Sequence, residues 1–305
     1  MSAKPPDYIP IRLGTLRDGS VATFDIYIPL SDHYVHYIKL SDTIDLERIN
    51  KLKAKGSKKL YIPKAQETDY LNYLDEGLSQ IGHPSVPPEK NAEIANAALV
   101  TMSESIKSTI ESEKSYQRTQ KQLEKITDFL QSDKTAVRQM ISEVGMSEDI
   151  HQHCATVSSL AISLADTFDI KDTKHLLELG TAALLHDVGL MNLSFDPMTP
   201  KSQMTAEQLA EYEKHPEMAK EILGKKRYIS PNILQLILDH ERDAASMKKL
   251  NLLSQILNIC NHYDRYCRER KLTLSAASEM YLIDNTDHMD GRLLRGLYQL
   301  VKGQP

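Results

Sequence analysis

Three prolines within the run GHPSVPP, residues 82–88, stop any helix from passing through that point, because proline lacks the amide donor and its ring clashes with the preceding turn. The chain must fold as two stretches of different character. Before the break, from Ile9 to about Gly82, apolar residues partly alternate in VATFDIYIPL and HYVHYIKL, and KKLYIP adds a short third run. Residues 45–54 and 64–78 carry helical spacing, so strands with two helices after them are expected, a small α/β unit. After the break, residues 89–139 contain no glycine or proline and are dense in Glu, Lys, Gln, Ser and Ala, the composition of long helices. Ile94, Leu99, Met102, Ile106 and Ile110 form an apolar stripe that needs a partner. That partner is either one of the chain's own domains or, in a dimerising coiled coil through 89–139, a second copy. From Thr135 onward the chain reads as helical to its end. The expected class is α+β: an N-terminal α/β domain at 1–82, a linker and connecting helices at 83–146, and an all-α bundle at 147–305.

A length of 305 residues allows roughly two domains, and 41% hydrophobic content suffices for ordinary cores. The net charge of −5 provides no basic field of the kind that draws a protein to DNA or an anionic membrane. No partner of either kind is expected. No signal-like apolar run opens MSAKPPDYIPIRLG and no stretch of eighteen apolar residues follows, so a cytoplasmic location is expected. Three cysteines, none in a CxxC pair, argue against a disulfide framework. Histidine is the informative residue, since eight of the eleven lie between His151 and His288.

The strongest local signal is GTAALLHDVGL, residues 180–190, where an apolar helix ends in adjacent His186 and Asp187. Neighbouring side chains on a helix point about 100° apart, so the pair serves two metals only if the carboxylate bridges them. Further candidates stand at the ends of other apolar helices: His153 before CATVSSLAISLA, His215 before Pro216, and Asp239 with His240 after NILQLIL. Helix ends converging on one core can gather imidazole nitrogens and carboxylate oxygens into a closed site for a divalent ion.

His153, then His186 with Asp187, then His215 with Pro216, then His240 with Glu241, resembles the HD superfamily of metal phosphohydrolases, and within it the HD-GYP branch, bacterial proteins that hydrolyse cyclic di-GMP. The resemblance covers about residues 147–301. Lys201 through Thr205 with Glu207 resembles that branch's K-x-x-x-L-T-x-E segment, and DHMDG at 287–291 its h-F-D-P element. It implies an HD-type helical bundle with two divalent ions, iron first and manganese second. His153, His186, Asp187, His215, Asp239 and His240 would be ligands, with Asp239 standing where the family has the first of two histidines. His186 and Asp187 would act through water activated by the metal. QILNICNHYDRY resembles R-I-L-A-I-A-D-V-F-D-A-L, which puts Asn261 at the metal aspartate and Asp264 at the second one, so both are carried as ligand candidates. Asp149, one turn before His153, stands where some relatives use a glutamate for a third metal.

The sequence also departs from the pattern. After Asp239-His240-Glu241 comes RDAASMKKLNLL, shorter than the family's D-G-x-G-Y-P loop and without its glycine, tyrosine or proline. Leu190 replaces the lysine of H-D-I-G-K, and Gln255 a family arginine. Arg270 remains as the expected phosphate contact. A charged contact to phosphate contributes about 1.5–3 kcal/mol, so these losses weaken substrate grip more than metal binding. The expected function is hydrolysis of a phosphodiester, cyclic di-GMP or a related nucleotide. The alternatives are a degenerate nucleotide- or partner-binding signalling protein and an iron-based redox sensor. The N-terminal domain holds no nucleophile constellation or phosphate loop, and reads as a sensory unit through which signalling proteins are engaged.

Overall fold

The structure, a computed structural model, describes residues 7–303 apart from 31–32, 55–56, 58, 84–85, 143, 148 and 273, so Pro84 of the proline run lies outside the described residues. The chain separates into two compact units, residues 1–101 and 102–305. The division falls inside a helix that begins at Pro88, not at the proline run. Residues 88–101 belong with the sheet, and the helices from 106 to 141 belong with the C-terminal bundle.

The first unit is an antiparallel sheet in the order β1-β4-β2-β3, formed by β1 (Tyr8–Arg12), β2 (Ile26–Leu30), β3 (His33–Ile38) and β4 (Lys59–Pro63). Alternation did not reveal β1, whose run YIPIR is only five residues long and carries Pro10. The sheet tolerates that proline at an edge, where β1 pairs only with β4. Helix α1 (Leu46–Ala54) lies between β3 and β4 rather than after all the strands, and α2 (Glu67–Ser79) follows β4. Phe24 is buried edge-on against Tyr70 and Tyr73, with ring centroids 5.3 and 5.4 Å away. Helix α3 (Pro88–Glu104) starts on the last proline of the break, the position where a missing amide costs least.

The second unit is all helix: α4 (Ile106–Glu111), α5 (Glu113–Ser132), α6 (Lys134–Ile141), α7 (Ile150–Thr167), α8 (Thr173–Leu185), α9 (Ala206–Tyr212), α10 (His215–Leu223), α11 (Pro231–Asp239), α12 (Ala244–Met247), α13 (Leu252–Arg270), α14 (Leu274–Asn285) and α15 (Gly291–Lys302). Helix α7 is apolar nearly all round and buried from His153 to Asp166, so it forms the bundle's centre. Helix α8 packs closely on it: a Cβ on Gly180 would lie 2.8 Å from Ile162, and Ser158 donates to the Gly180 carbonyl at 3.1 Å. Helices α7, α8, α11 and α13, which position His153, His186, His240 and the residues facing them, open on the side-chain caps Asp149, Asp172, Ser230 and Asn251.

The apolar stripe of residues 94–110 is buried within the single chain, each of its five members at most 7% exposed. The stripe itself is therefore not an exposed seam. Helix α5 likewise buries Leu123, Ile126, Phe129 and Leu130, and its Gln120 donates to Thr181 on α8 at 2.7 Å. Among the described residues no helix is long and apolar enough to cross a membrane.

Candidate metal centre

Six helix ends and faces deliver the site. His153 lies in the first turn of α7. His186 caps the end of α8, and Asp187 begins the 3-10 turn Val188–Asn192. His215 opens α10 and His240 closes α11. Asn261, Asp264 and Arg265 share one face of α13 by their i, i+3, i+4 spacing. All four histidines and Asp187 are at most 1% exposed. The 3-10 turn carries a glycine for a steric reason: a Cβ on Gly189 would lie 2.2 Å from the His215 carbonyl oxygen.

Hydrogen bonds fix the state of each imidazole. The Nδ1 atoms of His186, His215 and His240 donate to the carbonyls of Ala183, Tyr212 and Ile237, each three residues earlier. A carbonyl only accepts, so Nδ1 carries the proton. His153 Nδ1 donates to Asp264 Oδ2 at 2.7 Å. In the neutral ring every Nε2 is then a bare lone pair. Those lone pairs converge. His215 and His240 bring Nε2 atoms within 2.9 Å of each other, and His153 and His186 within 3.3 Å. Two nitrogens bound to one ion at about 2.1 Å and 90° lie about 3.0 Å apart, a spacing that these pairs match.

Asp187 stands between the pairs. Its Oδ1 lies 3.3 Å from His215 Nε2 and 3.6 Å from His240 Nε2, and its Oδ2 3.2 Å from His186 and 3.6 Å from His153. Two ligand groups result, His153–His186–Asp187 and Asp187–His215–His240, sharing the carboxylate. The oxygens are not equivalent: Oδ2 accepts from Arg265 Nη2 at 2.8 Å, while buried Oδ1 has no hydrogen-bond partner. Burial pushes the Asp187 carboxyl up, but His186 and Arg265 outweigh it and hold it well below the usual carboxylate range. Burial likewise opposes charge on His186, yet Asp187 and Cys154 beside it raise its pKa. Burial dominates at His153 and His240, lowering the first and bringing the second down to about 4.

Three expected site residues face elsewhere. Asp239 accepts from Ser254 Oγ at 2.8 Å and Gln235 Nε2 at 3.0 Å, so its carboxylate turns away from the cluster into the α11–α13 packing and is no ligand. Asp264 uses Oδ2 on His153 Nδ1 and Oδ1 on the Gly145 amide, which makes it the partner that orients His153 rather than a ligand. Arg270 lies nine residues beyond Asn261, about 13 Å along the helix. Its guanidinium sits 3.8 Å over the Tyr266 ring and faces Asp284, so it does not reach the cluster. Asp149 caps α7 through Oδ1. Asn261 does reach the centre, with Oδ1 2.9 Å from His153 Nε2.

Two residues that sequence reasoning left without a role complete the site. Arg265 is 8% exposed and joins Asp187, Asn261 Oδ1 at 3.2 Å and, at 3.8 Å, Glu241. Its signal was present in QILNICNHYDRY, where arginine stands at the alanine of the resembled segment. Glu241 accepts from Tyr212 and Asn261 and pairs with half-exposed Lys201. Burial pushes its carboxyl up, but Arg265 and Lys201 hold it well below its ordinary range. In place of the expected loop, the one-turn helix α12 is capped by Asp243 and anchored by buried Met247. Leu190 is buried, 1% exposed.

A buried set of imidazoles gathered on one aspartate at a helix end, inside an all-helical bundle, fits a divalent-metal site. The chain belongs to the HD domain family, whose model matches residues 136–293. Its resemblance runs to the HD-GYP branch. Cyclic di-GMP phosphodiesterase PA4108 of Pseudomonas aeruginosa is 23% identical over 165 residues, 50% of this chain and 40% of that protein's length. Bd1817, a HDG"Y"P protein from Bdellovibrio bacteriovorus, shares the fold with a TM-score of 0.80 at 24% identity, over 97% of this chain and 100% of that one.

Proposed function

We propose that this chain is a divalent-metal phosphohydrolase of cytoplasmic cyclic-dinucleotide signalling, acting on a phosphodiester such as cyclic di-GMP or a related nucleotide. One observation carries the reading. Four imidazoles whose Nδ1 atoms face acceptors elsewhere turn their Nε2 atoms onto one buried carboxylate, as close as 2.9 Å to one another, an arrangement that a divalent cation would satisfy. His215, His240 and Asp187 Oδ1 fit an ion best, and their nitrogen and oxygen donors suit iron and then manganese. A divalent ion there supplies Lewis acidity and an acidified water for attack on phosphorus. The chain's own contribution is to hold the ring tautomers through backbone carbonyls and to keep Asp187 ionised. Lys201, with 48% of its side chain exposed beside Glu241, is a cation that can meet a phosphate.

Buried Leu190 and helix α12, in place of a phosphate-facing lysine and a substrate loop, favour a second reading: a catalytically degenerate protein that binds the nucleotide or a partner and passes the signal through its N-terminal unit. Hydrolysis of cyclic di-GMP and of its linear product by manganese- or iron-reconstituted protein, beside Asp187→Ala, separates the two. Metal-dependent turnover lost in the variant is expected. Metal-loaded protein that binds cyclic di-GMP without converting it would establish the second reading instead.

A further inference from the structure

We propose that the guanidinium of Arg265 replaces one of the two metal ions, so that the centre takes a single divalent ion, held by His215, His240 and Asp187 Oδ1. The inference rests on the metal-dependent reading above and concerns how many ions the site admits and where.

The two halves of the centre already differ in what neutralises them. On the His153–His186 side the Asp187 Oδ2 atom receives Arg265 Nη2 at 2.8 Å, and Asn261 Oδ1 receives Arg265 Nε at 3.2 Å. An ion bound there would need both oxygens that the guanidinium holds, at van der Waals distance from a fixed positive charge in a medium that screens poorly. Arg265 cannot readily swing away, because it is 8% exposed, lies 5.4 Å from the Tyr212 ring centroid and is flanked by Glu241. Asn261 is locked too: its amide donates to Glu241 Oε1 at 3.2 Å, which leaves a neutral oxygen facing the centre. Neutral amide oxygens bind divalent ions more weakly than carboxylates.

The other half has no such substitute. Asp187 Oδ1 is fully buried, aimed between His215 and His240 and without a hydrogen-bond partner, while those two Nε2 atoms stand 2.9 Å apart. Charge points the same way. The carboxylates of Asp187, Asp264 and Glu241 already have Arg265 and, at Glu241, half-exposed Lys201 beside them, so one divalent ion is enough to neutralise the negative charge that remains. A second ion would leave the buried centre with an excess of positive charge.

The test is the metal content of the full chain, reconstituted with manganese(II) alone and desalted, read by elemental analysis and by electron paramagnetic resonance. One ion per chain with an isolated six-line spectrum is expected. His215→Ala and His240→Ala should lose it, His153→Ala should retain it, and Asn261→Asp with Arg265→Ala should raise the count to two with an exchange-coupled spectrum. Two ions in the unaltered chain, or loss in His153→Ala with retention in His215→Ala, would overturn the proposal while leaving metal-dependent chemistry intact. No ion at all would overturn the metal-dependent reading itself. Should the double variant not fold, the unaltered count and the two histidine arms decide the matter without it.

Discussion

The two sides of Asp187 are built from the same parts and finished differently. Each offers a pair of imidazoles with bare Nε2 atoms and one carboxylate oxygen. On the side of α7 and α13 an arginine and an amide have been fitted into the gap, while on the side of α10 and α11 the oxygen and both nitrogens remain open. A buried cation can be supplied by the chain or taken from solution, and the local hydrogen bonds tell which. On the single-ion proposal, the number of ions is set by what stands beside the candidate ligands as well as by the ligands themselves.

The largest break in the comparison comes from removing the atom pair that both halves share. Asp187→Asn strips the partner from Arg265 and the anchor from the open half, so a loss of about 3–5 kcal/mol in stability is expected from the uncompensated buried charge. Bound manganese should fall below about 0.1 per chain. Denaturant titration and elemental analysis check both, and a variant that keeps its metal would refute the shared-carboxylate geometry. Gly189→Ala strikes the open half alone. Its Cβ would stand 2.2 Å from the His215 carbonyl oxygen, forcing α10 to shift at a cost of about 3 kcal/mol. Metal affinity should drop with the stability, and a variant that holds its ion as tightly as the parent would show that His215 is not a ligand.

Much of this centre was legible from residue types at helix ends. His153, His186, Asp187, His215 and His240 stand out through their ordered spacing at the ends of apolar helices and the family resemblance that spacing carries, and the long helices of residues 89–139 follow from the absence of glycine and proline there. Direction was not legible. Asp239 is adjacent to His240, but successive helical side chains diverge by about 100°, and Ser254 on a neighbouring helix captured its carboxylate. Asp264 lies one turn after Asn261, close enough to suggest a ligand and just far enough to meet the back of His153 instead of its front. Arg265 escaped notice because an arginine beside exposed-looking polar residues reads as solvated, whereas tertiary packing buries it. In the first unit, β1 is too short a run, five residues, for its alternation to stand out, and it pairs only with β4.

The finest separation of the halves is Asp264→Asn, which acts on His153 through its far nitrogen. The amide cannot accept from both Gly145 and His153, so a loss of about 2 kcal/mol is expected at neutral pH, the scale of a charge-assisted hydrogen bond. Burial pushes the Asp264 carboxyl up, but His153 and the Gly145 amide lower it below its ordinary value. A carboxyl depressed by folding stabilises the fold above its unfolded pKa and ceases to do so as pH falls through its folded one. The gap between parent and variant should therefore be full near pH 7, shrink below about pH 4 and close in stronger acid. The substitution also favours the other tautomer of His153, placing a proton on the nitrogen that faces the centre. Were His153 a ligand, manganese affinity would fall about 10- to 100-fold, as it does when an orienting partner is removed. With the ion held by His215 and His240, affinity should stay within about twofold of the parent.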